Sequence, residues 1–325
     1  MKLISVVIPL YNEEAVIDEL KTRLQKVVNK LKDYSFEFIM VENGSVDSTY
    51  DKLVKLHKED RRFKIVKLSR NFGCDGGISA GLTFAEGDAA VIMNADLQDP
   101  PEIIPKFIEK WNLGYDMVYG IITKRVGVSF LRRTISYVFY IIMNILTKGV
   151  VPRNVSDFRL VDRKVYKVIA NMPEHNRFLR GMFAWSGFKQ TGVPFTRPPR
   201  FKQGGELKDK SFMERFFNSF NYTINAVFLF SDFPLKVITG IGLITSLSSF
   251  CVGLYFFLSY LIFGSTGSGY VQGHTSLILI ITFLFGILFL CLGVMGEYIS
   301  RIFEEVKSRP NFVIQNTIGF KNEAV

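Results

Sequence analysis

Cysteine is scarce: the 325 residues hold 3, an odd number with no pair at the spacing of a metal-binding or disulfide framework. Cys74 falls in a predicted loop and Cys251 and Cys291 in apolar stretches, so a stapled secreted domain is excluded and a reducing, cytosol-facing environment is the default. No G-x-G-x-x-G or G-x-x-x-x-G-K-[ST] follows a predicted strand, which argues against a dinucleotide-dependent enzyme and a P-loop nucleoside triphosphatase. The chain shows no internal repeat or low-complexity segment, and with 48% hydrophobic residues it is neither disordered nor fibrous. Charge is missing from two long stretches, the 27 residues from Val237 to Phe263 and the 22 from Thr275 to Gly296. Each is long enough to cross a hydrocarbon core as a helix, and soluble helices seldom stay uncharged on every face for that length.

What is present agrees with a membrane surface. A mean hydropathy of +0.20 and 31 Phe exceed what one soluble domain needs. Lys+Arg 40 against Asp+Glu 30 gives a formal charge of +10, which suits a nucleic acid, a phosphorylated substrate or an anionic membrane. The basic residues concentrate near the apolar stretches, so nucleic acid is not expected as a partner and the lipid bilayer is. The loop between the two uncharged runs has no Lys or Arg, whereas Lys236 precedes them and Arg301, Lys307 and Arg309 follow. The positive-inside rule then predicts a multi-pass membrane protein with both termini in the cytoplasm. Glu297, four residues before Arg301, is placed to pair with it at the helix exit. The stretch from Thr134 to Thr147, flanked by Arg132, Arg133 and Lys148, and that from Phe216 to Ser231, interrupted by three Asn, are too short or too polar to cross. They read as amphipathic helices in the membrane surface, within 130–148 and 211–234, with ordinary core helices as the competing reading. The apolar run near the amino terminus is too short for a signal peptide and leads into Asn-Glu-Glu, so it reads as a buried strand.

From residue 1 to about 120, apolar strand-like runs (3–8, 36–41, 63–68, 89–93, 117–119) alternate with helical segments (13–32, 48–58, 77–85, 101–112). Asp47 or Ser48 suits the start of the second helix and Pro101 the start of the fourth. The alternation predicts an α/β fold with a mostly parallel sheet, which binds ligands at the carboxyl ends of its strands. The unusual polar residues lie there: Tyr11-Asn12-Glu13, Glu42-Asn43-Gly44-Ser45, Ser69-Arg70-Asn71-Phe72-Gly73 and Asn94 through Asp99. Pro9 and Tyr11 offer an apolar face to a nucleotide base, and Glu13, Glu42 and Asn43 offer acceptors. Asp96 and Gln98 offer oxygen ligands to Mg²⁺ or Mn²⁺, hard ions that take few protein ligands; a turn or helix cap is the competing reading for Asp96. The expected organisation is a cytosolic domain over 1–210, a juxtamembrane helix over 211–234, two transmembrane helices within 235–301 and a cytosolic tail over 302–325.

VVIPLYNEE, VENGSVDST, LSRNFG, NADLQDPP, SDFRLVDR, GEYISRI and KSRPNF, in that order, resemble the family 2 glycosyltransferases of GT-A (Rossmann-like) fold that load a sugar onto a polyprenyl phosphate. The segment from Asn176 to Phe188 is most similar to the bactoprenol glucosyltransferase type. The resemblance implies inverting transfer of a hexose, glucose first, from a UDP-sugar donor to undecaprenyl phosphate for envelope glycan modification such as that of O-antigen. It implies donor contacts at Pro9, Tyr11, Glu13, Glu42, Asn43 and Asn94, with Arg200, Lys202 and Lys208 at the donor diphosphate. It implies metal ligands at Asp96 and Gln98, an acceptor-phosphate site at Arg132 and Ser136, and a catalytic carboxylate at Asp157. Salt bridging of Asp157 to Arg159 or Arg163 is the structural alternative. Asn43 and Asn94 stand where the family usually carries carboxylates, so a metal and base pocket of lower negative charge is expected, one that Asn94→Asp would strengthen. A processive polysaccharide synthase would need a Q-x-x-R-W stretch and further spans, and the chain has neither. A membrane scaffold without turnover is the rival from another class, other sugars are rivals for the donor, and self-association is left open.

Overall fold

The computed structural model describes residues 1–125, 155–175, 177–201, 233–263 and 274–320. Arg132, Ser136, Lys202 and Lys208, and both predicted surface helices, lie outside the described residues. The chain divides into two compact units, Met1–Ala226 with Arg309–Val325, and Val227–Ser308.

The first unit is an α/β layer structure. Strands β1 (Lys2–Leu10), β2 (Tyr34–Glu42), β3 (Phe63–Leu68) and β4 (Ala89–Ile92) alternate with helices α1 (Ile17–Val28), α2 (Thr49–Glu59) and α3 (Gly73–Thr83). After a short 3-10 turn at Pro101–Ile103 come α4 (Ile104–Asn112), β5 (Met117–Arg125), β6 (Val155–Asp162), α5 (Arg163–Asn171), α6 (Leu179–Trp185) and β7 (Gln190–Arg197). The segment after the second unit adds β8 (Ile314–Ile318). The order across the sheet is β7-β5-β6-β4-β1-β2-β3-β8. β1 pairs in parallel with β2 and β4, β2 with β3, and β5 with β7, while β6 and β8 run antiparallel to their neighbours.

The pattern of each strand explains its place. Residues 4–8 of β1 are all buried rather than alternating, as expected of a central parallel strand covered on both faces. One face carries Ile4, Val6 and Ile8 into a core with Leu20 and Leu24 of α1 and Phe38 and Met40 of β2. On the other, α3 lies so close to the sheet that a Cβ on Gly81 would collide with Val7 and Val41, and one on Gly77 would sit 3.0 Å from Pro9. This run of small residues lets the helix seat its first turn at the end of β1 and β2. Of the two residues expected at the start of α2, Ser48 is the cap and makes no side-chain cap bond; Asp47 before it accepts the Thr49 N–H at 3.0 Å through Oδ1 and the Glu14 N–H at 3.3 Å through Oδ2.

Strands β6, β7 and β8 were not predicted. β6 carries charges at Asp157, Arg159 and Asp162 within eight residues, a pattern that hides it until its neighbours are known. β7 and β8 are the two edges of the sheet and are only partly buried. α1 starts later than expected, because residues 12–14 are tied to the loop after β2, and α3 starts a turn earlier, at Gly73.

The second unit holds two long helices, α7 (Phe233–Phe263) and α8 (His274–Val306), of 31 and 33 residues. Against the two spans expected, one stretch among the described residues, Phe283–Val306, is long and apolar enough to cross a membrane, and Leu235–Thr245 is a shorter apolar segment. Large apolar side chains are exposed on both helices, among them Leu243, Phe250, Phe283 and Phe289. The expected pair at the end of α8 is present: Arg301 Nη2 donates to Glu297 Oε1 at 2.7 Å.

Candidate active site

Because β6 runs antiparallel to β4 with Arg159 opposite Ile92, its first residues project past the end of β4. Asp157 therefore joins the carboxyl ends of β1, β2, β3 and β4 along one edge of the sheet.

Four loops build the edge. The loop after β1 turns at Asn12, whose φ of +55° is in the left-handed region Asn tolerates. It is fastened to the loop after β2: the Asn12 N–H donates to Ser45 Oγ at 3.1 Å, Asn12 Oδ1 accepts the Val46 N–H at 3.0 Å, and the Glu13 N–H donates to Thr49 Oγ1 at 2.9 Å. The loop after β3 crosses directly over Gly44, where φ is +72° and a Cβ would lie 2.6 Å from the Arg70 carbonyl carbon. No other residue fits there without moving that loop. Asn43, buried, holds the crossing: its Oδ1 accepts the Phe72 N–H at 2.9 Å and its Nδ2 donates to the Gly73 carbonyl at 2.8 Å.

The loop after β4 turns at Leu97, with φ +58°. Asp96 Oδ1 accepts the Gln98 N–H at 3.1 Å, and Asp96 Oδ2 accepts from Arg200 Nε at 3.0 Å. Glu13 shares this pocket. Burial lifts its carboxyl to about 7; Arg200 opposes that rise, and the like charges of Asp96 and Asp47 add to it. Asp99, fully buried, organises the loop. It accepts from the Asn94 N–H at 3.2 Å, from Asn94 Nδ2 at 2.9 Å and from Ser156 Oγ at 3.2 Å. Burial raises Asp99 to about 6, against the pull of Arg197.

Asp157 pairs with neither Arg159 nor Arg163 through its carboxylate. Its partner is Arg180 of α6, which donates Nε to Oδ1 and Nη2 to Oδ2, both at 2.5 Å. Burial alone would raise the Asp157 carboxyl, but Arg180, with help from Arg159 and Arg197, outweighs it and holds it below the ordinary carboxylate range. Asp75, in the first turn of α3, moves the other way. Burial and the charge of Asp157 raise it to about 7, opposed by Arg180 and Arg159.

The structure thus brings Pro9, Glu13, Glu42, Asn43, Asn94, Asp96, Gln98, Asp157 and Arg200 to one edge, with Tyr11 exposed on the loop after β1. Asn43 and Asn94 accept through Oδ1, from the Phe72 N–H and the Cys74 thiol, and each also donates an amide N–H, to the Gly73 carbonyl and to Asp99; a carboxylate in either place would face that acceptor. Glu42 is also committed inward, its Oε1 accepting the Ser45 N–H at 2.5 Å while Oε2 is buried without a partner. Sequence reasoning missed Arg180, Asp99, Asp75 and Arg197. Asp99 was in view within the polar run after β4, and Arg180 was the one charge in an otherwise apolar helix.

By donor type, Asp96 and Gln98 fit a hard divalent ion: side-chain oxygens two residues apart around a tight turn. Among the described residues no group of three or more His, Cys, Asp or Glu gathers as a metal cage.

The site as a whole is an acidic loop at the carboxyl edge of a mostly parallel sheet. The chain belongs to glycosyl transferase family 2, whose model matches residues 5–170, and it is a glycosyltransferase. It is 40% identical over 98% of its length, and 96% of the relative's, to an uncharacterized glycosyltransferase of Synechocystis sp.. It is 36% identical to a prophage bactoprenol glucosyl transferase homolog of Escherichia coli, over 96% of this chain and 98% of that one. It is 35% identical to the bactoprenol glucosyl transferase of Shigella phage SfII, over 97% and 98%.

Proposed function

We propose that this enzyme transfers a hexose, glucose first, from a UDP-sugar to undecaprenyl phosphate at the cytoplasmic face of the inner membrane, releasing UDP and inverting the anomeric carbon. The observation that carries this reading is the end-to-end likeness to a bactoprenol glucosyl transferase at 35% identity. The site adds chemical support. Pro9 and Tyr11 would face the base. Arg200, with Lys202 and Lys208 beyond the described residues, would neutralise the diphosphate that leaves, where negative charge develops. Asp96 and Gln98 would hold Mg²⁺ or Mn²⁺, which when bound supplies further positive charge to that diphosphate. Arg132 and Ser136 would meet the acceptor phosphate. A phosphate monoester, with its second pKa near about 6, is mostly dianionic at neutral pH, so the attacking oxygen needs little help losing a proton. Asp157, clamped by Arg180 and held ionised, fits an orienting group better than a proton acceptor. Both α7 and α8 would span the bilayer, with both termini in the cytoplasm; their lengths and the flanking Lys and Arg support this.

The test is incubation of the purified full-length protein with labelled UDP-glucose, undecaprenyl phosphate and Mg²⁺ or Mn²⁺, followed by lipid extraction. Label should enter the lipid phase, with release of UDP, and a chelator should stop it. Transfer from a different nucleotide sugar alone would replace the donor. Absence of lipid label with every donor offered would overturn the reading.

A further inference from the structure

Asp157 and Arg180 meet as two parallel hydrogen bonds of 2.5 Å, and their side chains stay 21% and 25% exposed. Two further guanidiniums approach the same place. Arg159, 3% exposed, packs over the Phe183 ring at 4.5 Å and donates to the Ser156 and Asp157 carbonyls. Arg197, the last residue of β7, brings Nη2 to 4.0 Å from Asp99, and its Nε is buried without an acceptor. Asp157 takes the Nε/Nη2 fork and fixes the plane of the guanidinium, so a phosphate would meet other N–H groups of the same planar, always charged cation. Arg197 and Arg159 both add positive charge at the Asp157 carboxylate, so an anion that reaches this place meets three guanidiniums. The doubly clamped Asp157 is a weak base, and a phosphate nucleophile does not call for one. The pair therefore has more use for its arginine than for its carboxylate.

We propose that Arg180 is a phosphate-binding residue, with Asp157 positioning its guanidinium to receive a phosphate group of a substrate. The assignment deepens the proposed function and rests on it for the identity of that phosphate, the acceptor's monoester by preference and the donor's diphosphate otherwise.

Binding to the full-length protein in detergent tests it with three probes: farnesyl monophosphate, farnesol and UDP. Arg180→Gln should weaken farnesyl monophosphate by about tenfold or more, the scale of one lost charge-assisted contact, and leave farnesol and UDP as in the wild type. Arg180→Lys, which keeps the charge and loses the fork, should fall between the two. Asp157→Asn still offers an oxygen to Nε and should lose less than Arg180→Gln. The double variant Arg180→Gln/Asp157→Asn avoids stranding a carboxylate, so it controls for misfolding, and should bind as weakly as Arg180→Gln. Weakening of UDP in place of farnesyl monophosphate would keep the phosphate contact and move it to the donor. Unchanged binding of both in Arg180→Gln, or an equal loss in Asp157→Asn, would overturn the proposal. A protein that binds these probes as expected yet transfers no sugar would sink the proposed activity and leave the phosphate contact standing.

Discussion

At the scale of single residues, the site is governed by which groups keep their charge when buried. Glu13 has a folded pKa of about 7 against 4.5 for a free glutamate, so its stabilising contribution is full below about 4.5 and is lost as pH rises through about 7. Glu13→Gln removes that loss. Melting followed by circular dichroism should show a higher Tm than wild type near about pH 8 and little difference near about pH 4, with roughly 2–4 °C for each kcal/mol relieved. A Tm gain that is the same at both pH values would mean that ionisation is not its source. Asp157 has the opposite sign: its carboxyl is held low, so the stability it supplies is present at neutral pH and lost on acidification through its folded pKa. Asn94 gives a sharper test. Its Nδ2 donates to Asp99 at 2.9 Å, so Asn94→Asp sets two carboxylates against each other in a buried loop. Mn²⁺ titration should find metal affinity and turnover lower than in the wild type, and the loop less stable by about 1–3 kcal/mol, the cost of an unmatched buried polar group. Tighter Mn²⁺ binding in that variant would restore the view of Asn94 as a missing metal ligand.

At the scale of elements, the segment after α8 does more than end the chain. The Ser69 N–H donates to the Val313 carbonyl at 2.9 Å, β8 pairs antiparallel with β3, and Phe320 packs on Phe84 with ring centroids 4.9 Å apart. Asn311 Nδ2 donates to the Glu174 carbonyl at 3.1 Å, just ahead of α6 and Arg180. Removing residues 309–325 would leave β3 as an open edge, a template for pairing between copies. Size-exclusion chromatography should then show aggregation in detergent that the intact protein does not show. Asn311→Ala keeps β8 and removes one side-chain bond, so it should cost only about 1 kcal/mol and leave the protein monodisperse. A monodisperse truncated protein would show that β8 is dispensable as an edge cover.

For the whole molecule, the lack of charge over 27 and 22 residues and the formal charge of +10 bear on the same question, the side of the membrane on which each part lies. If both α7 and α8 span the bilayer, a cysteine placed by Ser268→Cys, between the two uncharged runs, lies on the face opposite the catalytic unit. A membrane-impermeant maleimide added to intact spheroplasts should label that cysteine, while one placed on the exposed surface of the catalytic unit by Leu113→Cys should react only after lysis. Labelling of both from the same side would reduce the spans to one or none.

The amino-acid sequence by itself determined the alternating α/β plan, the four polar strand ends, the Glu297–Arg301 pair and the two uncharged runs. Each is written in consecutive residues: helix and strand periods, turn residues after apolar runs, and the length of a stretch without charge. Only the tertiary structure decided that β6 enters between β4 and β5 and carries Asp157 to the same edge as Asp96. It alone decided that Asp157 binds Arg180, 23 residues on, rather than the nearby Arg159 or Arg163. It alone showed which groups the Asn43 and Asn94 amides donate to, the Gly73 carbonyl and Asp99. For Asp157 and Asn43 the physical reason is the same: the partner is chosen by which backbones the sheet sets side by side, and separations of 23 and 30 residues leave no local period to read; Asn94 meets Asp99 five residues on, through a turn whose shape only the fold reveals.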